Sequence, residues 1–297
     1  MGAKPQAMID QNRQHEPETV PAPAVHPSYL RVFMTFAHNS LVRDMTFRSN
    51  FLIECVTSLS WMGLNLGYYL LIFRFTDSIG EESGWGEFQY FVFLATTLFV
   101  NSIVQALFMP NCEEFSELIR TGGLDFALLK PIDTQFLVSL HKINWSALAN
   151  FFFALGLLGY SVVRLPELPG VAQVLLYPGY VACGVAIMYS LMITLAATSV
   201  WLGRNQSLYN FWFYITNFSR YPMEIYRGPI GGPLQWVFTF IVPVLIVVNV
   251  PARLMAKPLE AQSWPLAVFG LAAAAGSLWF SRWIFTTAMG SYRSASS

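Results

Sequence analysis

Six stretches of the chain run without a charged residue: 55–73, 88–112, 143–163, 168–203, 228–252 and 261–281. Each comes close to or exceeds the roughly 20 residues that a helix needs to cross the hydrocarbon of a bilayer. No water is available there to satisfy backbone N–H and C=O groups, so these stretches predict helices rather than open strands. Ahead of them, Tyr29, Phe33, Ala37, Leu41 and Met45 recur every fourth residue, with Arg31, Thr35, His38, Asn39 and Arg43 on the other side. That pattern predicts an amphipathic helix over 29–46, lying in the interface with its apolar face down. The competing reading is an N-terminal extension of the first span. Residues 1–27 are polar and rich in Pro, Gln and Glu, which predicts a disordered tail without the apolar core of a signal peptide.

Between the second and third apolar runs lies an island of different character, 111–136, with the sequence NCEEFSELIRTGGLDFALLKPIDTQF. Asn111 with Glu114 three residues on fits a helix start, and Glu113, Glu114 and Glu117 fall where the positive end of a helix dipole favours acids. Phe115, Leu118 and Ile119 share one face, Arg120 follows, and Gly122–Gly123 supply a left-handed stop. The expectation is a short helix over 111–121, roughly parallel to the membrane, with an apolar stripe inside an acidic rim. A solvated loop with an incidental helix is the alternative.

The distribution of cations orients the chain. With a cytosolic N-terminus, Arg31, Arg43, Arg48, Arg120, Lys130, Lys142, Arg204, Arg282 and Arg293 lie inside, as the positive-inside rule requires. The loop holding Asp77, Glu81, Glu82 and Glu87 is then outside, and the island faces the cytosol. The fifth crossing has two readings. Hydropathy alone selects 228–252, but that run opens with GPIGGP and is interrupted by Pro243 and Pro251. The favoured reading spans at 206–225 and lets 233–254 dip in from outside as two short helices meeting at Pro243, which is tolerable where the backbone packs on protein. Both give six crossings and cytosolic termini. The predicted fold is an all-α polytopic membrane protein, with spans at about 50–73, 87–110, 140–163, 172–200, 206–225 and 262–286 and a cytosolic C-terminal tail at 291–297.

Composition agrees with this class: 55% apolar and 11% charged residues with mean hydropathy +0.46, against roughly 25% charged in soluble domains. The net charge of zero offers no basic patch for nucleic acid. The three cysteines and four histidines form neither a disulfide framework nor a ligand pair. No phosphate loop, HExxH or GxSxG is present, so no cofactor-binding, catalytic or metal site is expected in the chain itself. Glu54 lies near the cytosolic end of the first span, where Arg48 is a possible partner. Arg220, Glu224 and Arg227 cluster at the outer end of the favoured fifth span. Intramembrane ionisable groups are functional candidates, yet none lies at mid-membrane, where a proton-coupled carrier would need one. Asn65, Asn101, Gln105 and Asn150 fit helix–helix contacts better than substrate contacts.

The order of these parts, together with RDMTFRSNF (43–51), ELIRTGGLDFALLKPID (117–133), SRYPMEIY (219–226) and FIVPVLIVVNVPARL (240–254), resembles the membrane subunits of type-2 ATP-binding-cassette exporters. It is most similar to a six-helix permease branch of mostly undefined substrates, over about 28–290. The resemblance implies a multi-pass subunit of the bacterial inner membrane that forms the translocation path with a second permease, identical or related, among membrane lipid. A separate cytosolic ATPase would bind ATP and Mg. By the same resemblance 111–121 is the coupling helix (Glu113, Glu114, Phe115, Glu117, Leu118, Ile119 and Arg120). The helix at 29–46 is the elbow, with Phe33, Arg43 and the adjoining Arg48, and the 233–254 hairpin is an outer gate marked by Pro243, Asn249 and Pro251. Two other functions compete with this: an integral-membrane lipid-modifying enzyme and a structural membrane-assembly protein.

Overall fold

A computed structural model describes residues 28–79, 84–202, 206–226, 228–258 and 264–292, with backbone alone at 206–211. The tail expected at 1–27, most of that at 291–297, and Arg227 of the expected cluster lie outside the described residues. Helix α1 (Tyr29–Thr46) turns at Phe47 into α2 (Arg48–Ile72). A two-residue hairpin follows, β1 (Ser78–Ile79) antiparallel to β2 (Trp85–Gly86), and leads into α3 (Glu87–Leu107) and α4 (Met109–Thr121). Short helices α5 (Leu124–Leu128) and α6 (Thr134–Leu140) precede α7 (Leu148–Val163), α8 (Val171–Ala197) and α9 (Ser199–Leu202). Then come α10 (Gln206–Asn217), two 3-10 turns (Phe218–Arg220 and Met223–Tyr226), α11 (Gly231–Trp236), a π turn (Val237–Ile241), α12 (Val244–Ala256) and α13 (Trp264–Ser291).

Among the described residues, four helical stretches are long and apolar enough to cross a membrane: Arg48–Ile72, Glu87–Thr121, Val171–Leu202 and Trp264–Ser291. Counting the bent pair Gly231–Ile241 and Val244–Ala256 as one crossing makes five. Two of the six expected spans are therefore shorter than foreseen. Residues 140–163 contain only the 16-residue α7, about 24 Å of helix at 1.5 Å per residue. In 206–225 the 12-residue α10 gives way to 3-10 turns at Phe218. The break has a local cause: Tyr221, at φ −123° and ψ 149°, is extended, the conformation that a following proline, here Pro222, imposes on its neighbour.

The core sits between α3 and α8. Tyr90, Phe91, Val92, Phe93 and Val100 of α3 are buried, as are Met188 and Ile193 of α8. Helix α7 packs on α3, α13 on α8, and α12 on both. At the α8–α12 crossing a side chain on Gly184 would place its Cβ 2.6 Å from the Val247 carbonyl oxygen, so only glycine permits this approach. Thr96 of α3 and Tyr177 of α8 share a buried hydrogen bond of 2.9 Å. Helix α2 packs on α1 and α7 and meets α3 through the rings of Tyr69 and Tyr90, 4.7 Å apart, and none of its residues is buried.

Candidate functional site

The island at 111–136 is built differently from its sequence expectation. α4 is not separated from α3 by a loop. It runs on from α3 as one 35-residue stretch, Glu87–Thr121, with Phe108 at the junction. At 1.5 Å per residue that is about 52 Å, against roughly 30 Å of hydrocarbon, so one end must project. Asn111 is not the N-cap: the helix starts at Met109, with Pro110 in its first turn. The Asn111 side chain instead donates to the carbonyls of Leu107 and Lys142, both at 2.7 Å, and accepts from the Lys142 amide at 2.8 Å. Nearby, the Asn144 amide donates to the Ala106 carbonyl at 2.8 Å. The α3–α4 junction is thus clamped to the 141–147 loop.

Two more ties hold the island. Glu114 accepts from Lys142 Nζ at 2.7 Å and meets His141 Nε2 at 2.8 Å. Asp133 caps α6 by accepting from the Phe136 amide at 3.0 Å and receives Arg282 of α13 at both oxygens, at 2.6 and 3.0 Å. Burial alone would raise the Asp133 carboxyl, but the Arg282 hydrogen bond, the Phe136 amide and the Arg282 charge outweigh it and hold the group below the ordinary carboxylate range. Gln135 Oε1 accepts from Arg282 at 3.0 Å, and Gln135 in turn donates to Tyr189 of α8 at 3.1 Å.

Helix α1 docks on the same segment. Ser40 Oγ accepts from the Ile143 amide at 3.1 Å, and Trp145 Nε1 donates to the Ala37 carbonyl at 3.2 Å. Arg43 Nη2 donates to the Ile143 carbonyl at 3.3 Å, and Asp44 accepts from the Trp145 amide at 3.3 Å. The inner face of α1 is therefore Val32, Phe33, Phe36, Ala37, Ser40 and Asp44, while the expected apolar residues Leu41 and Met45 are exposed.

The apolar stripe expected to receive a partner is turned inward. Phe115 is 0% exposed and packs on Phe285 of α13 with ring centroids 5.7 Å apart; Leu118 and Ile119 are half-buried against the core. Of the residues expected to couple, Glu113, Glu117 and Arg120 are exposed, the last two as an ion pair, while Glu114 is committed to Lys142 and His141. Beside them Phe126 and Leu129 are 73% and 81% exposed, a surface the sequence pattern did not single out. Gly122, at φ 73°, closes α4 and directs the chain into that turn.

At the far end of the helices the expected grouping of Arg220 with Glu224 does not form. Glu224 is buried and pairs with Arg253, and Trp85 Nε1 donates to it at 3.2 Å. Arg220 lies exposed, over the Phe213 ring at 5.6 Å. Lys257 Nζ stands 4.6 Å above the Trp85 ring, so the β1–β2 hairpin is held to α12 by one carboxylate and one aromatic side chain. Pro243 marks the 87° bend between the two apolar halves. Asn249 is fully buried, accepts from the Met223 amide at 2.8 Å and donates to the Leu245 carbonyl at 2.8 Å; Pro251 lies inside α12.

Glu54 is not held by Arg48. Its two oxygens accept from Asn50 Nδ2 at 2.9 Å and Ser146 Oγ at 2.8 Å. Among the described residues no group of three or more His, Cys, Asp or Glu side chains is placed to hold a metal ion. A family model described as an ABC-2 family transporter protein matches residues 59–296 of the chain. No curated protein and no solved structure matches it.

Proposed function

The chain belongs to the ABC-2 family of transporter proteins, and on that premise we propose that it is an export permease driven by a separate cytosolic ATPase. It is a membrane subunit of an ABC transporter; the direction of transport and the manner of coupling are the proposal. The observation that carries it is the contrast within the island. α4 is clamped on its inner side to α3, the 141–147 loop and α13, while Glu113, Glu117 and Arg120 and the neighbouring Phe126 and Leu129 remain uncovered. A push on that outward face is carried to the long helices, because every tie behind it is a hydrogen bond, an ion pair or a ring contact to a different element.

In this reading the ATPase holds ATP and Mg, closes on hydrolysis-coupled cycles and bears on the 109–130 surface. A second permease, a copy or a relative, completes the path along the exposed face of α2. The bent pair about Pro243 is re-entrant from the outer side and acts as the gate, with both termini cytosolic in a bacterial inner membrane. The test is affinity purification of the tagged chain from native membranes, with mass spectrometry for a nucleotide-binding subunit. Recovery of such a subunit with the parent chain, and its loss from a chain carrying Glu113→Lys and Glu117→Lys, is the expected result. Its absence from the parent, or full retention by the variant, would overturn the reading.

A further inference from the structure

We infer that the cavity between α1, the start of α2 and the 141–147 loop is a binding site for an organic ammonium group carrying an apolar tail. This half-open cleft has a volume of about 560 Å³ and is lined by Arg43, Asp44, Phe47, Asn50, Phe51 and Glu54 among others. Arg43 and Asp44 are paired with each other at 3.2 Å, so their charges offset. Glu54 has no such partner: both its oxygens are held by neutral donors, Asn50 and Ser146, and no described cation lies within ion-pair distance. The formal charge of the lining is one negative, and it resides on Glu54.

That carboxylate stands six residues into α2, about 9 Å along the helix from Arg48, on the exposed surface of the chain; within the span that α2 is read to form, an uncompensated charge calls for a counter-ion. Hydrogen bonds from Asn50 and Ser146 fix its orientation without neutralising it. Phe47 and Phe51 line the same cavity, and aromatic faces attract alkylammonium groups through the ring quadrupole. A carboxylate with two phenyl rings therefore suits an organic cation, and among the described residues no group of three or more His, Cys, Asp or Glu side chains is placed to hold a metal ion. Farther along α2, Val56 and Leu59 are exposed, giving an alkyl tail a path away from the carboxylate. The ligand is thus a cationic amphiphile, oriented with its ammonium at Glu54. Its role as cargo rests on the permease reading above; its binding does not.

The full chain in nanodiscs of neutral lipid is titrated calorimetrically, without any ATPase, with dodecyltrimethylammonium, tetramethylammonium and dodecyl sulfate, against empty nanodiscs as the partition reference. Saturable binding of dodecyltrimethylammonium is expected, about tenfold weaker in Glu54→Gln and unchanged in Glu167→Gln, an exposed acid elsewhere in the chain. Phe51→Leu is expected to weaken it by a few-fold while the circular dichroism and elution volume stay those of the parent. Binding that is not saturable, equal affinity in Glu54→Gln, or equally tight dodecyl sulfate would overturn the inference. Tetramethylammonium binding as tightly as the dodecyl cation would overturn the part assigned to the tail. A chain that binds the cation yet purifies without an ATPase would separate this inference from the coupling proposal.

Discussion

Glu224, a buried carboxylate, pairs with the partly exposed Arg253 and so ties the 3-10 turn Met223–Tyr226 to the last turn of α12. Trp85 donates to the same carboxylate from the β1–β2 hairpin. Breaking a fully buried pair by removing one partner costs about 3–5 kcal/mol. Arg253 is 28% exposed, so a smaller loss of about 2 kcal/mol is expected for Glu224→Gln. Thermal unfolding in detergent should show it, and the double variant Glu224→Gln, Arg253→Met should recover part of the loss. Equal stability of Glu224→Gln and the parent would mean that the pair holds nothing.

The bent pair about Pro243 makes a topological prediction. If it is re-entrant, Gly232 and Pro258 lie on the same, outer side. Gly232 has open space around it, whereas a side chain at Gly231 would stand 2.5 Å from the Tyr226 carbonyl oxygen, so Gly232 is the position to label. Cysteines introduced at 232 and 258, in a chain whose native Cys55, Cys112 and Cys183 are replaced by alanine, should both react with a membrane-impermeant maleimide added outside intact cells. Reaction of the two from opposite sides would make the pair a broken span.

Gly184 carries the α8–α12 crossing. Because an added Cβ would stand 2.6 Å from the backbone oxygen of Val247, neither helix can yield by rotating a side chain. Gly184→Ala is expected to cost about 1–3 kcal/mol, the range for overpacking a dense core. Gly179→Ala, where nothing lies within 4 Å, should leave the melting temperature at or above that of the parent, since alanine also favours the helix. The contrast between the two alanines, on one helix five residues apart, is the measurement.

Charge-free length made the membrane class legible, because hydrocarbon excludes charge whatever the fold. Pro243 likewise marked the 87° bend, since proline removes a backbone donor and a turn of helix cannot continue through it unaltered. What could not be read was which polar residue meets which. Asn111 suits a cap by local pattern, but Lys142 supplies a second carbonyl and an amide to it from a loop far along the chain. Arg253 reads as the end of an apolar run and gives no local sign of Glu224. The stripe of Phe115, Leu118 and Ile119 announces that something apolar covers it; periodicity is silent on whether that cover is α13 or another protein.

This distinction between buried stripe and exposed turn is testable on stability and assembly together. Phe115 fills core space against Phe285, so Phe115→Ala should destabilise the chain by about 3–5 kcal/mol and lower its melting temperature. Phe126→Ser with Leu129→Ser removes exposed side chains and should leave melting unchanged while lowering recovery of the nucleotide-binding subunit. If Phe115→Ala instead melts like the parent and loses only the partner, the stripe is a docking surface after all.

Asp133 and Arg282 give the chain an acid limit of defined sign. The folded carboxyl titrates below its ordinary value, so its contribution to stability is complete above about pH 4, the ordinary range for an aspartate. It is lost as the pH falls through the depressed folded value, where protonation releases Arg282. Because the side chains are 32% and 51% exposed, solvent screening limits the effect to about 0.5–1 kcal/mol. Asp133→Asn should therefore lower the melting temperature slightly at neutral pH and flatten its fall between pH 5 and about pH 3, relative to the parent. Arg282→Lys, which keeps the charge but not the two-pronged geometry, should give an intermediate curve. A parent and Asp133→Asn that lose stability in parallel over that window would remove the pair from the acid response.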